Sequence, residues 1–169
     1  MNFNDFRLPS IAISGLYKNS LVTLKEEKKI AEPKNESTPK FLGGNKKNIL
    51  ILAKSDDAVF VNDRQLSLLT KLLEACKMNI GDVAIVNHAN NPMNIAEIKK
   101  QFSPKSIILF GVNPSLIKLP IDFPLFKLQE YDSCTYLCAP TLYELDDDTN
   151  EAKVLKSKLW VCLKKLFEI

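Results

Sequence analysis

From Asn48 onward the chain alternates short apolar runs with longer stretches in which apolar positions recur at three and four. The short runs read as strands covered on both faces, and the longer stretches as the helices that cover them. Asn48 to Ala53, with Ile-Leu-Ile-Leu inside it, is the first expected strand. Asp82 to Asn87, Ser106 to Phe110 and Thr135 to Ala139 are the other three, and Phe126 to Tyr131 has extended character ahead of the last. Asn62 or Asp63 is placed to cap a helix bearing Leu66, Leu69, Leu72, Leu73 and Cys76, with Gly81 after it. Asn94 caps a shorter helix with Ile95, Ile98 and Phe102, which Ser103-Pro104 ends. Gly111 closes the third strand, and Pro114 to Ile117 fits a single helical turn. The closing helix starts near Thr149 and sets Ala152, Leu155, Leu159, Cys162, Leu163 and Leu166 on one stripe. The expected fold is therefore α/β: a three-layer α/β/α sandwich around a central, mostly parallel four-stranded sheet.

Before Asn48 the pattern changes twice. Residues 1–30 carry a cluster of Phe6, Leu8, Ile11, Ile13, Leu16 and Tyr17, too apolar for an idle tail, before a charged run from Lys25 to Lys29. Residues 31–47 scatter Pro33, Pro39, Gly43 and Gly44 among polar side chains, a composition that buries too little surface to order itself. The expected organisation is a partner-binding segment (1–30), a flexible linker (31–47) and an α/β body (48–169). Tethering such a cluster to a folded body raises the effective concentration of one partner near another. The competing expectation packs Ile11 to Leu24 onto the chain's own body as an extra hairpin or helix.

Charge divides along the same boundary. Residues 1–47 hold 9 Lys plus Arg against 5 Asp plus Glu, whereas residues 48–169 hold 14 against 15. Strong phosphate binding needs clustered cations, so the body is not a basic nucleic-acid module, and any such contact is expected to be indirect or weak. No apolar run approaches the roughly 18 residues of a membrane span, and the N-terminus has no secretion signal, which together predict a cytoplasmic protein without a membrane partner. The four cysteines, at 76, 134, 138 and 162, form no CxxC pair and have one histidine for company. Buried reduced thiols are expected, with no metal and no cofactor.

In an open parallel sheet, ligands bind beyond the carboxyl ends of the strands. The residues there are Lys54, Ser55, Asp56 and Asp57, then Asn87 and His88 followed by Ala89-Asn90-Asn91-Pro92, then Gly111-Val112-Asn113, and finally Ala139, Pro140 and Thr141. No GxGxxG or GxxxxGK[ST] is present, and the first strand-to-helix loop has no glycine for the close backbone approach a phosphate needs. His88, oriented by an acid such as Asp56, is the candidate general base; the bland alternative is a loop histidine bonded locally. Asp56-Asp57 and Asp146-Asp147-Asp148 read as solvated turns before they read as metal ligands. Ser55 and Cys138 lack any elbow or partner motif as nucleophiles.

Val59-Phe60-Val61, Gln65 to Leu69, Leu72-Leu73-Glu74-Ala75 and Asp82 to Asn87 follow one another in a definite order, with Pro104 to Gly111 beyond. In that skeleton the chain resembles the iron-sulfur type of uracil-DNA glycosylase. Where that family has a Gly-Glu-x-Pro-Gly loop seating the attacking water, this chain has Ala53-Lys54-Ser55-Asp56-Asp57; where it has His-Pro-Ser, this chain has Ala139-Pro140-Thr141. The histidine expected to stabilise a departing uracil anion is gone, as are the cluster cysteines. The resemblance implies the scaffold without the reaction.

Two further stretches are Pro140-Thr141-Leu142-Tyr143-Glu144-Leu145, followed by Ala152-Lys153 and Leu159-Trp160, and Asp5-Phe6-Arg7-Leu8 with Ile11-Ala12-Ile13. They resemble the psi-subunit family of the bacterial DNA polymerase III holoenzyme, with a longer interval between Ala152 and Trp160 and with Leu16 and Tyr17 where the family peptide has a Trp. The resemblance implies a non-catalytic adaptor in DNA replication, whose N-terminal peptide docks on the clamp loader and whose body binds a chi-like subunit. The rival expectation is a divergent uracil-DNA glycosylase or nucleotide-processing enzyme using His88 with Asp56 and Asp57. A single-strand DNA module would need an aromatic-lined basic groove, and the body has one Trp, set in a helix.

Overall fold

The structure, a computed structural model, describes residues 40–169. The anchors expected at Phe6, Leu8, Ile11, Ile13, Leu16 and Tyr17 lie outside the described residues, as does the linker up to residue 39. The strands are β1 (Leu42–Gly43), β2 (Ile49–Ala53), β3 (Val83–Asn87), β4 (Ser106–Phe110), β5 (Leu128–Tyr131) and β6 (Cys134–Ala139). The helices are α1 (Asp63–Ala75), α2 (Ile95–Phe102), α3 (Leu142–Asp146) and α4 (Asn150–Phe167), with short 3-10 turns at Ile80–Asp82 and Pro114–Ile117.

The chain is α/β, with a six-stranded mixed sheet in the order β1-β3-β2-β4-β6-β5. The four strands expected from the apolar runs form its centre and pair in parallel, while β1 and β5 are antiparallel additions at the two edges. From β2 the chain first steps to β3 and then crosses back to β4 on the other side of β2. That reversal defines a switch point, the place where the loops of an open sheet part and leave a crevice. Register places Asn87, Ala53, Phe110 and Ala139 side by side in one row at the carboxyl ends.

Strand side chains alternate between two cores. Ile49, Ile51 and Ala53 of β2 meet α1, α3 and α4 through Leu69, Leu73, Leu142, Leu159 and Leu163. Leu50 and Leu52 face the other way, onto Ile98 and Phe102 of α2 and onto Ile117 and Leu119 of the irregular chain after β4. On that side Phe123 stacks on the fully buried Tyr136, ring centroids 5.1 Å apart. The stripe expected on α4 holds: Ala152, Leu159, Cys162 and Leu163 are buried, and Leu155 and Leu166 pack partly against the same core. Caps fall where expected, at Asn62, Asn94 and Thr149, the first two completed by Gln65 and Glu97 as capping boxes.

Three features correct the sequence-based expectation. The sheet has six strands, not four. β5 and β6 form a hairpin through Asp132 and Ser133, both with positive φ (50° and 59°), a turn for which the sequence offers no glycine signal. The flexible linker does not extend to residue 47, because Leu42–Gly43 pairs with β3, Phe41 sets its ring edge-on to Phe102 at 5.3 Å, and the Asn45 amide donates to the Phe102 carbonyl at 3.0 Å. Gly43 is required there, since at φ 110° a Cβ would lie 2.2 Å from the Val83 carbonyl oxygen. Finally, α3 is a five-residue helix opened by a Thr141–Glu144 capping box.

Candidate functional site at the carboxyl ends of the parallel strands

The residues singled out beyond each strand do occupy the switch-point edge, because the parallel register aligns the strand ends. What they do there is mainly to hold backbone. Asn87, 1% exposed, is the centre of the arrangement. Its Nδ2 donates to the carbonyls of Ser55 (2.6 Å) and Ala58 (2.8 Å), and its Oδ1 accepts from the amides of Ser55 and Ala89, both at 3.1 Å. Both donors and the acceptor oxygen are thus occupied. Asn90, from the same stretch beyond β3, adds donations to Ala58 (2.7 Å) and Val59 (3.3 Å). The loop between β2 and α1 is tied by these two amides to the start of the loop after β3.

The other candidates divide between caps and solvent. Thr141 caps α3, accepting from the Glu144 amide at 3.2 Å, and the Glu144 carboxylate accepts in turn from the Thr141 amide and hydroxyl at 2.9 Å. Asn113 caps the 3-10 turn through the Ser115 amide at 3.5 Å. Lys54, Asp56 and Asp57 are exposed, Ser55 is buried and Pro140 is half-buried. The structure therefore brings Asn87 and Ser55 together but does not pair His88 with Asp56: the ion pair among the described residues joins Lys99 and Asp132, at the β5–β6 turn.

His88 is half-buried, its backbone amide completes the ladder by donating to the Ala53 carbonyl at 2.9 Å, and its Nε2 is buried with no hydrogen-bond partner among the described residues. Burial holds its pKa below the ordinary histidine value, against a smaller upward push from its bond to the Met93 backbone. The unfolded chain therefore takes up a proton first, so the stability this ring contributes is full above about pH 6.5 and is lost as pH falls from there through the folded value. Since His88 is the only histidine, His88→Gln should flatten the acid-side loss in urea unfolding between about pH 7 and pH 5. Parallel curves for the two proteins would show instead that the ring is solvated.

Burial drives the thiols of Cys134 and Cys138 up to about 11, so both are protonated at neutral pH and poor nucleophiles. All four cysteines are free and buried. Among the described residues no three His, Cys, Asp or Glu side chains gather as a metal site would require, and no helix is long and apolar enough to cross a membrane. Trp160 packs partly against the core beneath Lys164, whose Nζ lies 5.3 Å from the ring centroid.

The position of Asn90 beyond β3 is legible in the sequence but its role is not, because its partners are carbonyls about thirty positions away. One grouping escaped the sequence reading: Lys158, Val161, Cys162 and Lys165 share one face of α4 at helical spacing, but only the fold shows that Phe126, Lys127 and Leu128 lie across from them. The chain matches no protein-family model and no curated protein.

Proposed function

We propose that the protein is a non-catalytic adaptor of the DNA replication machinery, similar in plan to the psi subunit of the bacterial DNA polymerase III holoenzyme. In this reading the α/β body is a uracil-DNA-glycosylase-like scaffold that binds one protein subunit, of chi type. The segment 1–30 docks on a clamp-loader-type partner through Phe6, Leu8, Ile11, Ile13, Leu16 and Tyr17, and the whole acts in the cytoplasm. The observation that carries the reading is the state of the first crossover loop. Where the glycosylases seat water and a flipped base, the Asn87 amide has both donors and its acceptor oxygen engaged with backbone of the loop itself and of Ala89. A loop held this way is a structural connection, with His88 kept uncharged beside it.

The test is capture of purified clamp loader and purified chi-type subunit by the full chain and by a Phe6→Ala/Leu8→Ala/Ile11→Ala/Ile13→Ala variant. The variant should lose the clamp loader while keeping the chi-type subunit. Equal capture of both partners by both proteins would remove the adaptor role from the segment. Release of uracil from DNA by the full chain, abolished in His88→Ala, would replace the adaptor reading with the enzymatic one.

A further inference from the structure

Away from the strand tips, a cavity of about 470 Å³ opens between α4 and the stretch of Phe126, Lys127 and Leu128 that leads into β5. Phe126, Leu128, Val161 and Cys162 make an apolar floor, with the Cys162 thiol donating to the Phe126 carbonyl at 3.1 Å. Lys127, Lys158 and Lys165 line it, and no acidic side chain does. All three lysines are exposed, and among the described residues none belongs to an ion pair. The charge is local: the body as a whole is almost neutral, yet α4 carries five lysines against one glutamate. Val161, 53% exposed, and Leu125, 56% exposed, extend the apolar surface outward.

The strand that borders this cavity is also the end of the sheet. Among the described residues β5 pairs with β6 alone. In a two-residue hairpin the pair flanking the turn is hydrogen-bonded and the bonded pairs then alternate. Tyr131 and Gln129 therefore turn their backbone groups toward β6, while Leu128 and Glu130 turn theirs outward. An unpaired strand edge, an apolar floor and uncompensated cations thus meet in one place.

We infer that this groove receives an acidic, extended segment of a protein partner, which adds to β5 as a seventh strand and sets its carboxylates on Lys127, Lys158 and Lys165. Strand addition supplies main-chain hydrogen bonds for affinity, and side chains on alternate positions supply selectivity. Lys158 and Lys165 stand two helical turns, about 10 Å, apart. Carboxylates on one side of an added strand recur every ~7 Å, within reach of flexible lysine side chains. The inference deepens the adaptor reading and rests on it for the class of partner, a protein.

The probe is a fluorescently labelled peptide of about ten residues alternating Glu and Val, one strand long, with a Lys/Val peptide for comparison, each titrated against the full chain. The acidic peptide should bind saturably and the basic one should not. Lys127→Glu/Lys158→Glu/Lys165→Glu should weaken binding about tenfold or more, the loss of roughly 1.4 kcal/mol or more. The same reversal at Lys71, Lys77 and Lys100 should leave binding unchanged. Because the groove lysines are exposed and, among the described residues, in no ion pair, thermal unfolding should shift by no more than a few degrees, chiefly through Lys165 in the last turn of α4, so a loss of binding with unfolding still cooperative is not a loss of fold. Binding should also slow amide exchange at Leu128 and Glu130, which mere charge attraction would not do. Equal binding by both lysine variants, or binding without protection of those amides, overturns the inference and leaves the lysines as charges that guard an edge strand against aggregation. Capture of the chi-type subunit unaffected by the groove reversal would place the body's partner elsewhere with the adaptor reading intact, whereas no capture of either subunit by the wild-type chain would fail that reading independently of the peptide result.

Discussion

Asn87→Ala is expected to lower the stability of the full chain by about 2–4 kcal/mol, read as a fall in the urea midpoint with an unchanged slope. Truncation strips the Ser55 carbonyl and the Ser55 and Ala89 amides of their partner and leaves the Ala58 carbonyl to Asn90 alone. Some of these groups close over a buried position, where an unmet backbone donor or acceptor loses its full solvation. Asn87→Asp is the sharper test. It keeps the acceptor oxygen but turns a second oxygen toward two carbonyls, and burial together with that repulsion raises the folded pKa of the new carboxyl. A raised folded pKa contributes stability below the unfolded value and loses it as pH rises, so the deficit of Asn87→Asp should grow from about pH 4 upward. The Asn87→Ala deficit should not vary in this way. A stability change below about 0.5 kcal/mol for Asn87→Ala, the scale of an ordinary surface substitution, would show that the loop does not depend on this amide.

Gly111→Val should be nearly as damaging, by about 2–4 kcal/mol, with Gly111→Ala milder. Gly111 stands at φ 64°, and a Cβ there would lie 2.4 Å from Thr141 Cγ2 and 3.2 Å from the Cα and Cβ of the same residue. Thr141 is the cap of α3, and its capping bonds with Glu144 are the ones such a clash would displace. The pair can be separated in a double-mutant cycle. Thr141→Ser deletes the offending methyl and keeps the capping hydroxyl, so it should recover part of the Gly111→Ala loss while costing little in the wild-type background. Additive effects would locate the strain in the backbone of Gly111 alone.

Gly111 and Asn87 also mark how far the sequence carries. The four central strands were legible because β-strands buried on both faces must be apolar throughout, and Ile49–Ala53, Val83–Asn87, Ser106–Phe110 and Cys134–Ala139 lie within a residue of the runs that announced them. Caps at Asn62, Asn94 and Thr149 were legible for an equally local reason, since the capping side chain and its amide are three positions apart. β1 was not, because two residues have no period. Its place is set by a close approach of Gly43 to Val83 across forty positions. The strand-tip residues were found by rule, as the positions that follow parallel strands, but their role was not. Whether an asparagine there faces a ligand or holds its own backbone depends on which loop folds against it.

Taken alone, the sequence determined the α/β class, the apolar strands and three helix starts, since each rests on interactions within one or two turns of chain or on the burial of a continuous run. Tertiary structure alone decided that Asn87 ties two loops together, that Asp132 and Ser133 fold β5 back onto β6, and that lysines from α4 and from the residue before β5 border one groove. Those outcomes depend on hydrogen bonds and juxtapositions between residues some thirty or more positions apart, or on turn residues in unannounced left-handed conformations, and local periodicity holds no record of either.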